Sequence, residues 1–389
     1  MYPVTIYRLV GIAFKWLFCI GILLSQTFHY SQAALEKMHA PPTSPPPQQL
    51  ILAIESNDVQ KAAALIGDRQ NINDTDFFGY SPLHYAVKRG KVPIVSLLIK
   101  AKALLNQVSI QHGNTPLLLA IETGHKKITS LLLTAGADTT IKNHLGYNAL
   151  HLAIQHKRED LVQLLLEAAA PYNSCTPEGY TPLLLAIQAG SIPMIQQLVK
   201  RNNITDFQDK NGYNALHWAI KKQAKAIFTI LVQSGKFNVQ AVSQKGETPL
   251  HLIAANRNIH PSFLKQLLSV SVLQVNATDA AGSTPLHYAA AANHFKAVQG
   301  LVKHANIQVN QQNHAGQTAL HYAVANNHVA MVKQLLTRVG SAVSLANKKG
   351  ITPIEWAMRH KYTKIYRLLL AHISFIESEE MVDTDSYAQ

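Results

Sequence analysis

Cysteine is scarce in this chain of 389 residues: only Cys19 and Cys175 are present, which excludes a disulfide framework and any cysteine-rich zinc site. Catalytic signatures are missing as well. There is no GxGxxG or Walker loop, no HExxH and no GxSxG, and Cys175 stands in the loop SCTPEG without a motif partner, so the chain reads as a non-enzyme without a cofactor. A long hydrophobic run is lacking: the apolar stretch from Leu9 to Leu24 is 16 residues, contains Lys15 and falls short of the ~20 needed to cross a bilayer. Charge is sparse at 15% and acid is the scarcer sign, with 22 Asp and Glu against 35 Lys and Arg, a formal charge of +13. That surplus favours acidic partners, anionic lipid or nucleic acid and says nothing about fold. Hydrophobic residues make up 47%, enough for a sizeable core, and length alone suggests two or three compact domains unless the chain is a repeat array.

Residues 1–33 have the layout of a secretory signal peptide. Arg8 and Lys15 precede the apolar run from Trp16 to Leu24, and a more polar stretch ends in Ser31, Gln32 and Ala33, which predicts cleavage after Ala33. The alternative is an uncleaved membrane anchor over residues 9–24. The expected setting is therefore secreted or periplasmic, with a membrane location if the segment is retained. Residues 34–49 form a linker whose end, APPTSPPPQQ, has five prolines in seven residues, a composition suited to an extended spacer.

The rest of the chain repeats. GYSPLHYA at Gly79 is followed by GNTPLLLA at Gly113, GYNALHLA at Gly146, GYTPLLLA at Gly179, GYNALHWA at Gly212, GETPLHLIA at Gly246, GSTPLHYA at Gly282, GQTALHYA at Gly316 and GITPIEWA at Gly350. Successive glycines lie 33 to 36 residues apart, a solenoid period. In each unit Gly can take positive φ at the end of a hairpin-like turn, and Pro suits the first helical position because its missing N–H would be unpaired there. A helix of about eight residues, a break such as Arg89-Gly90, Thr123-Gly124 or Ala189-Gly190, and a second helix with an apolar cluster such as Ile94, Val95, Leu97 and Leu98 complete the unit. One such pair cannot cover its apolar face, so neighbours must stack.

These nine copies resemble the ankyrin repeat family, whose pattern includes T-P-L-H-x-A at a period of 33. The resemblance covers residues 50 to about 372. It implies an all-α ankyrin repeat solenoid of about ten helix pairs, counting a first unit over Leu50 to Asp74 that lacks its hairpin. The repeat domain is placed at 50–376, with helices around Ile51 to Ser56 and Val59 to Ile66 at its start, and an acidic flexible tail at 377–389. Glu355 replaces the motif histidine in the last copy, as expected of a capping repeat. Six histidines, His84, His151, His217, His251, His287 and His321, share one position, and the resemblance implies that each bonds the motif Thr and the adjoining hairpin. Leu118 and Leu184 take that position in two repeats, and Asn148 and Asn214 replace the Thr in two others. Metal binding by the set is disfavoured, since neighbouring repeats stand about 10 Å apart while a zinc ligand lies about 2 Å from its ion.

Ankyrin proteins bind through the concave surface formed by hairpin tips and the exposed ends of first helices. Carried onto this chain, the partner-binding candidates are Phe77, Phe78, Tyr80, Leu145, Tyr147, Tyr180 and Tyr213 at the hairpins, and Lys88, Arg89, Lys157, Lys221, Lys222 and Arg257 at helix ends. Without residues 1–33 and the five-acid tail, 33 bases face 17 acids, so the linker and repeats carry +16 and the groove is expected to be basic. The expected partner is a protein with an acidic surface. No small-molecule substrate and no nucleic acid are expected, because the bases are dispersed and a signal peptide removes the chain from most nucleic acid. The acidic tail could screen the groove or serve as a solubilising end. Sequons at Asn73, Asn203 and Asn276 would be used only in a eukaryotic secretory route.

Overall fold

A computed structural model describes residues 48–67, 72–338 and 343–386; the signal segment and nearly all of the proline-rich linker lie outside the described residues. Among these residues there are twenty helices, no strands, and one architecture repeated ten times. The helix pairs are α1 (Gln48–Glu55) with α2 (Val59–Gly67), α3 (Pro82–Lys88) with α4 (Val92–Lys100), α5 (Pro116–Thr123) with α6 (Lys126–Thr134), α7 (Ala149–Gln155) with α8 (Glu159–Glu167), and α9 (Pro182–Ala189) with α10 (Ile192–Val199). They continue as α11 (Ala215–Lys221) with α12 (Lys225–Ser234), α13 (Pro249–Ala255) with α14 (Ser262–Leu268), α15 (Pro285–Ala291) with α16 (Phe295–Val302), α17 (Ala319–Ala325) with α18 (Val329–Leu335), and α19 (Pro353–Arg359) with α20 (Thr363–Ser386). Each odd-numbered helix packs on the next odd one, and each even-numbered helix on the next even one, so the pairs form two layers.

Local sequence explains each unit. In the hairpin before α3, Asp76 N–H donates to Tyr80 O at 3.0 Å and Gly79 N–H returns to Asp76 O at 2.9 Å, while Asp76 Oδ1 accepts from the N–H groups of Phe78 and Tyr80. Asp209, Asp279, Asn313 and Asn347 close their hairpins in the same way. The glycine must be left-handed: Gly212 sits at φ +76°, and a Cβ there would meet Gln244 N and Ser243 C at 2.9 Å. The motif Ser, Thr or Asn then caps the inner helix, as Thr115 does by accepting Leu118 N–H at 3.3 Å.

The apolar residues between the layers form one continuous core running from Leu50 to Leu369. Ile94, Val95 and Leu98 on α4, Leu161, Val162 and Leu165 on α8, and Met331, Val332 and Leu335 on α18 are all at 1% exposure or less, and burying each such side chain stabilises the stack by about 1.5–3 kcal/mol. The backbone of the last helix, α20, stays helical through Ser386, and no Gly or Pro interrupts Thr363–Ser386.

At six of the eight hairpin-to-hairpin boundaries of the described residues the tips are joined by a backbone bond, donated by the following hairpin to the carbonyl of the residue before the preceding hairpin's glycine. Ile110 N–H donates to Phe78 O (2.8 Å), His144 to His112 (3.0 Å), Gln244 to Asn211 (2.9 Å), Ala280 to Lys245 (2.9 Å), His314 to Ala281 (2.9 Å) and Lys348 to Ala315 (3.0 Å). At the hairpin bases, Thr205 N–H donates to Asn173 Oδ1 at 3.2 Å, Asn238 N–H to Asp206 Oδ2 at 2.8 Å and Gln308 N–H to Asn276 Oδ1 at 2.9 Å.

Candidate partner-binding face

The six motif histidines are buried bolts between repeats. In the Ser- and Thr-capped units, Nδ1 accepts the cap residue's backbone N–H, as from Ser81 at 3.1 Å and Thr284 at 3.0 Å, and also the cap hydroxyl at 2.8 Å. That leaves Nε2–H to donate to the residue after the next hairpin's glycine: Asn114 O from His84 (3.1 Å), Ser283 O from His251 (3.0 Å), Gln317 O from His287 (2.9 Å) and Ile351 O from His321 (3.2 Å); in the Asn-capped unit of His217, Nδ1 faces Asn214 Oδ1 at 2.7 Å and Nε2 lies 3.0 Å from Glu247 O. His151 differs, with Nε2 3.1 Å from Ser174 O. At Asn148 and Asn214 the amide nitrogen reaches outward instead, donating to Ser174 Oγ in one case and to Asp206 Oδ2 and Asn238 O in the other, each within 3.0 Å. Burial holds His84, His151 and His217 down at about 4 and lowers His251, His287 and His321 as well. In the terminal unit Glu355 Oε2 accepts Thr352 N–H at 2.9 Å, so the acid replaces the cap half of the histidine's role.

Against this frame the candidate residues divide. Phe77, Phe78 and Leu145 are exposed at the hairpin tips by 59%, 52% and 64%. Tyr80 is not a tip residue but belongs to the core at 8% exposure, because the chain turns back after Gly79 and lays the ring edge-on to His84 and Tyr85. Tyr147, Tyr180 and Tyr213 are half-buried, and two of them lean on imidazoles, Tyr147 on His151 at 6.0 Å and Tyr213 on His217 at 5.4 Å. Lys88, Lys157, Lys221, Lys222 and Arg257 are exposed. Arg89 is exposed too, but it is paired with Glu55 at 2.9 Å.

Two groups of candidates are brought together. Lys88 Nζ lies 5.5 Å from the centre of the Tyr80 ring, and these two join Phe78, Tyr85 and Gln111 around a cavity of about 220 Å³. In the middle of the array, Lys221 Nζ is 4.2 Å from the Tyr213 ring centre and 5.4 Å from that of Trp218, while Tyr180 meets Trp218 edge-on at 6.1 Å. The second group thus spans two repeats and combines a cation with three aromatic rings. Arg89, Leu145, Tyr147, Lys157, Lys222 and Arg257 join neither group.

The sequence reading missed the aromatics that follow the motif histidine. Tyr85 Oη donates to Asp76 Oδ2 at 2.6 Å, Trp218 Nε1 to Asp209 Oδ2 at 3.0 Å, Tyr288 Oη to Asp279 Oδ2 at 2.7 Å, and Tyr322 Oη accepts from Asn313 Nδ2 at 3.1 Å. In every case the hairpin residue lies nine positions earlier, a spacing visible in the sequence. Burial, then the carboxylate bond, raises Tyr85 to about 12 and pushes Tyr288 up further. Trp356 breaks the series: its Nε1–H is buried without an acceptor, and its ring stacks on His360 at 4.5 Å. The bonds consume the hairpin carboxylates of Asp76, Asp209 and Asp279. The described residues contain two ion pairs, Arg89 with Glu55 and Lys126 with Asp160, neither involving Lys88, Lys221, Lys222 or Arg257. Among the described residues no group of His, Cys, Asp or Glu could hold a metal ion, and no helix is long and apolar enough to cross a membrane.

Known proteins share this repeat architecture. The chain is 37% identical over 82 residues to the rat "Ankyrin repeat and SAM domain-containing protein 6", which is 21% of this chain and 9% of that protein. It is 35% identical over 99 residues to human "Neurogenic locus notch homolog protein 1", 25% of this chain and 4% of the other, and 38% identical over 90 residues to human "Transient receptor potential cation channel subfamily A member 1", 22% and 8%. The matched stretches are thus a tenth or less of those relatives. Among solved structures, the ankyrin repeat domain of Bcl-3, a member of the IkappaB protein family, superposes with a TM-score of 0.50 at 26% identity, over 55% of this chain and 95% of that domain. The family described as "Ankyrin repeats (3 copies)" matches five overlapping segments, 50–143, 101–176, 150–241, 231–313 and 305–379, and the chain therefore belongs to the ankyrin repeat proteins.

Proposed function

We propose that this protein is a non-catalytic scaffold that binds an acidic segment of another protein on its concave face, centred on Tyr180, Tyr213, Trp218, Lys221 and Lys222. The ankyrin repeat fold is a general protein-interaction fold, and no enzymatic family is indicated by the match. The observation that carries the finer reading is the central group. An ammonium poised over two rings, with a third ring across the repeat boundary, offers a carboxylate both charge and an amphipathic surface. The hairpin carboxylates of Asp209 and Asp279 accept hydrogen bonds from Trp218 and Tyr288 inside the fold, and neither forms an ion pair with Lys221 or Lys222. The setting we assign is secreted or periplasmic, with cleavage after Ala33 freeing the protein; retention of residues 9–24 would make it a membrane-anchored adaptor. The binding reading is tested by charge reversal. Lys221→Glu with Lys222→Glu should lower capture of the partner by about tenfold or more, whereas Lys127→Glu with Lys265→Glu on the outer helices should leave it intact; equal effects from the two pairs would refute a concave site.

A further inference from the structure

We propose that the boundary between the 176–180 and 209–213 hairpins is a joint, at which the solenoid opens and closes on its concave side. Two ties hold neighbouring hairpins together elsewhere, the tip bond between backbones and the histidine bolt. Along the eight hairpin-to-hairpin boundaries of the described chain, this is the one where both are missing. The tip bond would run from Lys210 N–H to Glu178 O, and none forms; the bolt would come from position 184, where Leu184 has no donor. The two boundaries that precede it each lack part of the set, while the one that follows has both ties. Pro177 occupies the donor position facing Leu145 and has no N–H to give, and His151 bonds Ser174 O. At the boundary before that, Leu118 removes the bolt while the bond from His144 to His112 remains.

What remains at the joint lies on the side away from the tips. Asn173 bridges the hairpin bases, with Nδ2 donating to Asn203 O at 2.7 Å and Oδ1 accepting Thr205 N–H at 3.2 Å. On the outer edge Lys236 Nζ clasps the end of α10 through Val199 O at 2.7 Å and Arg201 O at 2.8 Å. Buried side chains of α10 and α12, such as Ile195, Leu198, Phe228 and Leu231, keep the outer layer packed. A boundary held at base and outer edge but not at its tips turns about the held side, so its easy motion is a spreading of the tips. At the tips the Gly179 backbone faces Asp209 and Lys210, with room that would leave an added Cβ 3.3 Å from Asp209 Cα and Lys210 N, and Tyr180 meets Trp218 edge-on; these contacts can part and meet without breaking a hydrogen bond. The joint therefore sets the groove width beside Lys221, and it stands on backbone and histidine geometry whether or not the proposed partner binds there.

Spin labels test this directly in the full chain with Cys19 and Cys175 replaced by Ser. Labels at Glu178→Cys and Asn211→Cys flank the joint, and labels at Lys245→Cys and Ala281→Cys occupy the matching positions across a fully tied boundary. The first pair should give a distance distribution about twofold or more broader than the second. Leu184→His, which restores a bolt within reach of Tyr213 O beside the existing Thr181 cap, should narrow the first distribution and slow hydrogen exchange at the Lys210 amide by about tenfold. Equal widths for the two label pairs in the unbolted chain would overturn the proposal. If the Leu184→His chain fails to fold, that comparison still decides it.

Discussion

Acid should loosen the stack through its buried imidazoles. His84, His151 and His217 are fully buried, and burial holds each near 4 where the ordinary value is 6.5. Above pH 6.5 neither the folded nor the unfolded chain protonates these groups, and they exert no pH-dependent penalty. As pH falls from 6.5 towards 4, the unfolded chain takes up protons that the folded chain refuses, so stability falls with pH and the loss levels off below pH 4. A separation of about 2.5 pH units at about 1.4 kcal/mol per unit sets a ceiling of roughly 3 kcal/mol for each imidazole, and roughly 2 kcal/mol each is lost between pH 7 and pH 5. Three such groups remove roughly 6 kcal/mol by pH 5, comparable with the whole stability of an ordinary domain at about 5–15 kcal/mol. His251, His287 and His321 add to the loss in the same direction. Urea unfolding followed by circular dichroism at pH 7, 6 and 5 should show a midpoint that drops at each step, while the imidazole resonances of His84, His151 and His217 stay put above pH 5. A midpoint unchanged between pH 7 and pH 5, or folded-state titration of any of the three near 6.5, would refute the reasoning.

Other outcomes follow from single sites. Gly212→Ala should cost about 2 kcal/mol or more by thermal unfolding, because a left-handed alanine there also strikes Gln244 and Ser243 backbone; Gly190→Ala, at φ +72° with open space around its Cβ, should cost only about 1 kcal/mol. His251→Leu leaves Ser283 O and the Thr248 cap without their imidazole partner and should destabilise by about 1–3 kcal/mol in urea titrations. Sequencing the mature protein from its native source should begin at Ala34; a start at Met1 would instead mark residues 9–24 as a retained anchor.

The fold was legible because its period is written in the chain. Glycine at a position that demands positive φ, Pro at a first helical residue and a capping Ser, Thr or Asn recur in register, and each acts through local geometry alone. The first helix pair, too, lies within a few residues of where apolar spacing put it. The binding face was read less well, since exposure depends on which way a ring turns after the glycine. Tyr80 folds into the core, and Tyr147 and Tyr213 lean on imidazoles four residues on, although all three were placed at the hairpins as binding candidates. Arg89 reads as a groove cation by position, yet Glu55 lies 34 residues earlier and nothing local announces their pairing. The tie between Asp76 and Tyr85, or Asp209 and Trp218, had a visible signal in its nine-residue spacing.

Site-specific photo-crosslinking measures directly whether the partner lies in the concave groove. With a photoreactive residue in place of Lys222, illumination in the presence of the partner should give an adduct that weakens as salt is raised, whereas the same residue in place of Gln163 on the outer helix α8 should give none. Adducts from position 163 and none from position 222 would place the partner on the outer helices instead.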